Sequence, residues 1–151
     1  YHFIVSLTEE NSLSENSYLK KENISLIKGN TREVLKACDY AIVSSGTATL
    51  EAMLSKTPFC VIYKSNPISN FLITNILLQL DYISLPNILA NKKIVPELRQ
   101  GDLKINKVIE ELDYLIDNSN ELMIQDFKAL HQSLINENDN KFSKIIDKLS
   151  S

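Results

Sequence analysis

Residues 40–51 read Tyr40-Ala41-Ile42-Val43-Ser44-Ser45-Gly46-Thr47-Ala48-Thr49-Leu50-Glu51, and this stretch decides the fold. Its first four residues are an apolar run of the kind that forms a buried strand. A Ser-Gly-Thr turn follows, then an expected helix over residues 47–55 with Leu50, Met53 and Leu54 on its apolar side. A strand that turns directly into a helix presents backbone N–H groups and hydroxyls at the helix N-terminus, where a phosphate is held. Glycine is scarce, three residues in 151, against roughly 7% in average proteins. Gly46 is one of the three, placed where the backbone must bend sharply or approach a ligand closely.

The same alternation extends to both sides. Residues 3–7, 24–27 and 58–63 read as further short apolar strands. Asn30 and Glu33 have the spacing of a capping box opening a helix that carries Val34, Leu35 and Ala37. Residues 8–22 are polar and read as a loop or weak helix with Leu13 and Leu19 facing inward. Strands alternating with helices predict an α/β fold whose parallel sheet is covered on both faces. Open sheets of this kind bind ligands beyond the carboxyl ends of their strands. The Ser-Gly-Thr turn lies at one such end and Tyr63-Lys64-Ser65-Asn66-Pro67 at another, so two polar loops face one crevice.

Further on, residues 68–80 form the most apolar helix, through Ile68, Phe71, Leu72, Ile73, Ile76, Leu77, Leu78 and Leu80. It reads as a buried or interface helix, or as a contact with a membrane surface or acyl chain, although it lacks the basic face of a self-sufficient anchor. In Asp81-Tyr82-Ile83-Ser84-Leu85-Pro86-Asn87-Ile88-Leu89-Ala90 a short strand is expected to end at Pro86. Val95-Pro96-Glu97-Leu98-Arg99-Gln100-Gly101 reads as a polar turn or short helix. From Lys104 the chain is helical: Ile105, Val108, Ile109, Leu112, Leu115 and Ile116 make one stripe, and Leu122, Ile124, Phe127, Leu130, Leu134 and Ile135 another.

Composition narrows the function classes. The length suits one domain with a core. A net charge of -3 and a pI near 5.4 argue against a nucleic-acid partner, since no Lys/Arg stripe is available to neutralise phosphates. Cys38 and Cys60 sit in apolar segments and read as small buried residues of a reducing compartment. His2 and His131 stand alone, without metal-ligand spacing. No apolar run is long enough to span a bilayer. The first residues, Tyr1-His2-Phe3-Ile4-Val5, already read as strand and lack an initiator Met, so the chain is expected to be the downstream part of a longer protein.

The candidate binding residues follow from chemistry. Glu51 lies four residues after Thr47, too far for a capping box but on the same helix face. There its carboxylate can accept two hydroxyl hydrogen bonds, as from a ribose, while Ser45, Thr47 and their N–H groups hold phosphate; otherwise it complements the helix dipole. Lys64 can pair with a phosphate or anionic headgroup, or is a solvated loop lysine. Asn87 can reach a sugar or diphosphate, or is a turn residue bonded to its own backbone. Glu97 and Gln100 line the crevice if Pro96 starts a helical turn. Asp39 and Asp81 need no role beyond turns and caps. No Ser-His-Asp, Cys-His or Walker-type arrangement is present.

Taken together, Ser45-Gly46-Thr47-Ala48-Thr49-Leu50-Glu51, Tyr63-Lys64-Ser65-Asn66-Pro67, the run from Asp81 to Ala90 and Val95-Pro96-Glu97-Leu98-Arg99-Gln100 resemble, in order and separation, the C-terminal part of the lipid-A-disaccharide synthase family. The resemblance is strong over residues 24–101. It implies the C-terminal, Rossmann-like half of a GT-B glycosyltransferase with a helical C-terminal tail. Residues 1–103 would be the donor-binding domain, and residues 104–151 helices packing on it or on a partner. The implied reaction transfers 2,3-diacylglucosamine from UDP to 2,3-diacylglucosamine 1-phosphate, forming the β-1,6-linked disaccharide of lipid A and releasing UDP. The UDP-sugar is a substrate, and neither cofactor nor metal is implied. Ser45, Gly46 and Thr47 would hold the diphosphate and Glu51 the ribose. Asn87, Glu97 and Gln100 would lie near the donor sugar or diphosphate. The family implies a site on the cytoplasmic face of the inner membrane of a Gram-negative-type bacterium, which favours lipid contact by residues 68–80.

This sequence lacks the family's N-terminal domain with the acceptor groove and expected catalytic base, and the first strand and Gly-containing loop of the donor domain. No residue is assigned as general base, and the fragment alone is expected to be inactive and to bind UDP weakly at best. Two other readings stay open: another GT-B enzyme, such as a peptidoglycan glycosyltransferase or a UDP-GlcNAc epimerase, and a non-catalytic nucleotide-binding module that uses its helical tail to pair. A homodimer through that tail and a monomer fit the pattern equally.

Overall fold

The computed structural model describes residues 1–7, 21–64 and 81–136; the readings of residues 8–20, 65–80 and 137–151 lie outside the described residues. In chain order the elements are β1 (Phe3–Leu7), β2 (Ile24–Lys28), α1 (Thr31–Ala37), β3 (Ala41–Ser44), α2 (Thr47–Ser55), β4 (Phe59–Ile62), α3 (Leu85–Ala90), β5 (Glu97–Leu98), α4 (Ile105–Asp117) and α5 (Glu121–Asn136). The strands pair in parallel as β1-β2 and as β3-β4-β5. This is the expected α/β class, a Rossmann-like arrangement of parallel strands flanked by helices.

Apolar side chains explain the layering. Val43 of β3 and Phe59, Cys60 and Val61 of β4 are buried, a near-continuous apolar run suited to a strand covered on both faces. Ala52 and Met53 of α2, Leu35 of α1 and Phe127 of α5 join Val43, Phe59 and Val61 in one core cluster. Phe59 and Phe127 stack with ring centroids 5.6 Å apart, so α5 closes the core of the three-stranded sheet. Lys56 reinforces that contact. It ends α2 in a left-handed conformation (φ 64°), and its Nζ donates to the Phe127 carbonyl (3.3 Å) and meets His131 Nδ1 at 3.0 Å.

Four details differ from the sequence-based expectation. Asn30 does precede α1, but its backbone is left-handed (φ 54°) and its side chain makes no cap bond. Capping side chains reach helix N–H groups from an extended backbone, and here two successive left-handed residues, Gly29 (φ 67°) and Asn30, make the turn instead. Pro86 does not end a strand. It sits in the first turn of α3, where its missing N–H costs nothing because that donor has no intrahelical acceptor. Glu97 and Leu98 form β5 rather than a helical turn, paired with Val61 and Ile62; the Pro96 carbonyl accepts from the Val61 N–H at 2.8 Å, a bond that needs no proline donor. The stripe on α4 is only partly covered: Leu115 is buried, while Ile105 and Ile109 are exposed.

Candidate functional site

Strand register brings the predicted loops to one edge. Ser44, Ile62 and Leu98 are aligned across β3, β4 and β5. The next residues continue the ladder, with the Ser45 N–H donating to the Ile62 carbonyl (3.0 Å) and the Tyr63 N–H to the Leu98 carbonyl (2.9 Å). The chain then leaves the sheet on the same side at all three strands. Ser45, Gly46 and Thr47, exposed Lys64, and exposed Gln100 therefore share the carboxyl edge of the sheet, the edge where open α/β sheets bind ligands.

The turn itself is built for a helix N-terminus. Gly46 has φ 131° and ψ -159°, a region essentially restricted to glycine. A Cβ built there meets no heavy atom within 4 Å, so backbone conformation rather than crowding selects glycine. Helix geometry leaves the N–H groups of Gly46, Thr47 and Ala48 without intrahelical acceptors. Thr47 and Glu51 are both exposed, four residues apart on α2. Ser45 departs from the expected role. Its N–H is committed to Ile62 and its hydroxyl donates to the Ile83 carbonyl at 3.1 Å, so Ser45 anchors the turn and the N–H donors at its mouth are those of the residues after it.

A second group of predicted residues, Asn87 and Glu97, is engaged with protein backbone. Glu97 Oε1 accepts from the N–H and the hydroxyl of Ser84 (2.9 and 2.7 Å) and from Asn87 Nδ2 (2.8 Å), and Oε2 accepts from the Ile83 N–H (3.0 Å). This carboxylate thus sits at the N-terminus of α3, where negative charge is favoured. Asn87 is wholly buried. Its Oδ1 accepts from the N–H groups of Ile94 (2.7 Å) and Val95 (2.9 Å), and Nδ2 also donates to the Val95 carbonyl (2.9 Å). Every polar atom of that amide is satisfied, as burial requires. Arg99 closes the group, with Nη2 3.6 Å from Glu97 Oε2 and 2.6 Å from the Asp81 carbonyl that accepts from it.

An open cleft of about 220 Å³ is lined by Asp81, Tyr82, Asn87, Lys93, Glu97 and Arg99. It lies beside the α3 wall, and neither Thr47, Glu51 nor Lys64 lines it. The candidate site therefore has two adjoining parts, an exposed turn at the N-terminus of α2 and a hydrogen-bonded wall at α3 and β5. Two hydroxyls join them. One is Ser45 on Ile83. The other, missed from the sequence, is Thr49: it is wholly buried, donates to the Gly46 carbonyl (2.7 Å) and accepts from the Leu85 N–H (3.2 Å). The only sequence signal for Thr49 was a hydroxyl on the expected apolar face of α2. Ser84 was missed as well, since its partner Glu97 lies 13 residues away.

The cysteines do not enter the site. Cys38 and Cys60 are free. Burial, with Glu111 of α4 nearby, pushes the Cys60 thiol up to about 11, and burial with Asp39 nearby raises Cys38 as well. Neither is poised as a thiolate nucleophile.

Residues 2–146 match the family model for lipid-A-disaccharide synthetase. A lipid-A-disaccharide synthase of Francisella philomiragia is 35% identical over 136 residues, covering 89% of this chain and 36% of that relative. One of Haemophilus influenzae is 38% identical over 143 residues, covering 87% of this chain and 36% of the relative. Lipid-A-disaccharide synthase 2 of Legionella pneumophila is 38% identical over 122 residues, covering 80% and 31%. The chain thus spans about a third of the length of these relatives.

Proposed function

Since the chain belongs to the lipid-A-disaccharide synthase family, we propose that it forms the part of such an enzyme that holds the UDP-sugar donor. Family membership sets aside the peptidoglycan glycosyltransferase and epimerase readings. The observation that carries the proposal is the α2 turn at the carboxyl edge of the sheet, with Gly46 in a glycine-only conformation and Thr47 and Glu51 exposed on one helix face. The turn N–H groups and the Thr47 hydroxyl hold the diphosphate, with Lys64 adding positive charge from the neighbouring strand end. Glu51 accepts from the ribose hydroxyls. Gln100 faces the donor from the end of β5, and Asn87 and Glu97 shape the wall beside it.

The chemistry is sugar transfer to a hydroxyl of 2,3-diacylglucosamine 1-phosphate. The bond between the donor sugar's C1 and the UDP oxygen breaks, the acceptor oxygen bonds C1, and the acceptor proton leaves to a base outside the residues assigned here. Negative charge grows on the departing diphosphate. Fixed N–H dipoles at a helix N-terminus stabilise that charge with little reorganisation. The acylated substrates place the reaction at the inner face of a bacterial inner membrane, reached by surface contact. Among the described residues no helix is long and apolar enough to cross a membrane.

UDP titration tests the assignment. Glu51→Ala and Thr47→Val should each weaken UDP binding by roughly 5- to 10-fold, the loss of one or two hydrogen bonds to a ligand. Unchanged binding in both variants would sink the proposal.

A further inference from the structure

The Gly46–Thr47 peptide is the keystone of the α2 turn, and its orientation is held from inside the protein. All peptide bonds among the described residues are trans, so the Gly46 carbonyl and the Thr47 N–H point in opposite directions. The carbonyl accepts from the Thr49 N–H (3.1 Å) and from the Thr49 hydroxyl (2.7 Å). Pinning the carbonyl inward aims the Thr47 N–H outward along the helix axis, the direction of an anion at a helix N-terminus. Gly46 needs such pinning, because glycine has the widest choice of backbone conformations.

The same hydroxyl accepts from the Leu85 N–H at 3.2 Å. Residues 83 and 84 just before it are gripped by the Glu97 carboxylate, and the Ile83 carbonyl takes the Ser45 hydroxyl. The turn is therefore fastened at two points, 45 and 49, to a segment that is itself fastened to β5. Thr49 is wholly buried and offers no exposed surface to a ligand. A residue of this kind acts through another.

The geometry points to Thr49 as a positioning residue: its hydroxyl sets the Gly46–Thr47 peptide and thereby the donor that faces the diphosphate. This rests on the UDP-site reading above. Thr49→Val keeps the shape and removes the hydroxyl; Thr49→Ser keeps the hydroxyl.

The test is UDP titration of the 15N-labelled chain, read by amide chemical shifts, with Tm measured beside it. Thr49→Val is expected to move the Thr47 amide resonance in the free protein and to weaken UDP on the order of 10-fold, while Thr49→Ser stays within about threefold of the parent. If Thr49→Val does not fold, Thr49→Cys, close in size with a weak donor, takes its place and the same weakening is expected. UDP affinity and a Thr47 resonance that stay at parent values in the hydroxyl-free variant, with only Tm lowered, overturn the proposal. So does a serine variant as weak as the valine. Glu51→Ala and Thr47→Val are the controls: if both leave UDP binding unchanged, the site reading itself fails, whereas weakening by these two with Thr49→Val at parent affinity removes only the role of Thr49.

Discussion

At the scale of single residues, the site depends on conformations and pairings that side-chain type alone does not announce. Gly46 is required by its backbone angles and not by contacts, so Gly46→Ala should cost about 1–3 kcal/mol despite the space around it. A shift of the urea midpoint at unchanged slope would measure this. Cys60 makes a pH prediction. Its folded value is raised to about 11 from an ordinary 9.0, so the unfolded chain gives up the thiol proton first. Stability from the buried neutral thiol is complete below pH 9 and is lost as pH rises toward 11, by as much as roughly 3 kcal/mol. Cys60→Ala is less stable at neutral pH because it leaves a cavity, and the gap to the parent should narrow across that window. A constant gap in denaturation from pH 8 to 11 would contradict the assignment. The legible residues were those with exposed or turn roles: Gly46, Thr47 and Glu51 stand where the sequence puts them. Asn87 and Glu97 were legible as neighbours of a crevice, but their bonds run to backbone atoms 7 to 14 residues away, which no local pattern displays.

At the scale of elements, short apolar runs identified β1 through β4, turn and capping signals α1, and helical spacing of apolar residues α2, α4 and α5. They failed at α3 and β5, for one shared reason. Both elements are short and take their hydrogen-bond partners from outside themselves: α3 from Glu97 and Thr49, β5 from β4. Proline was the misleading signal in each. Pro86 starts a helix that was expected to be the end of a strand, and Pro96 precedes a strand that was expected to be a turn. The helical tail offers a test of how the elements are coupled. Phe127 of α5 is wholly buried against Phe59 of β4, so Phe127→Ala should cost about 3–5 kcal/mol. If α5 instead contributes little to the core, thermal unfolding of the variant will match the parent.

At the scale of the whole molecule, the chain spans about a third of its relatives, and the proposed donor site supplies binding without a base. The 151-residue chain mixed with UDP-2,3-diacylglucosamine and 2,3-diacylglucosamine 1-phosphate is therefore expected to yield no disaccharide above the no-enzyme rate. A mass-spectrometric assay that detects product would show that the transfer machinery is already complete. The wall beside the turn also carries a consequence for how the fold is reached. The ties from Asn87 and Glu97 span 7 to 14 residues, whereas Ser45 and Thr49 reach across 38 and 36. Short loops close at small entropic cost and quickly, in on the order of 10–100 ns for ten residues. Residues 83–97 can thus knot themselves before α2 arrives, and the arriving turn is moulded against a surface already set.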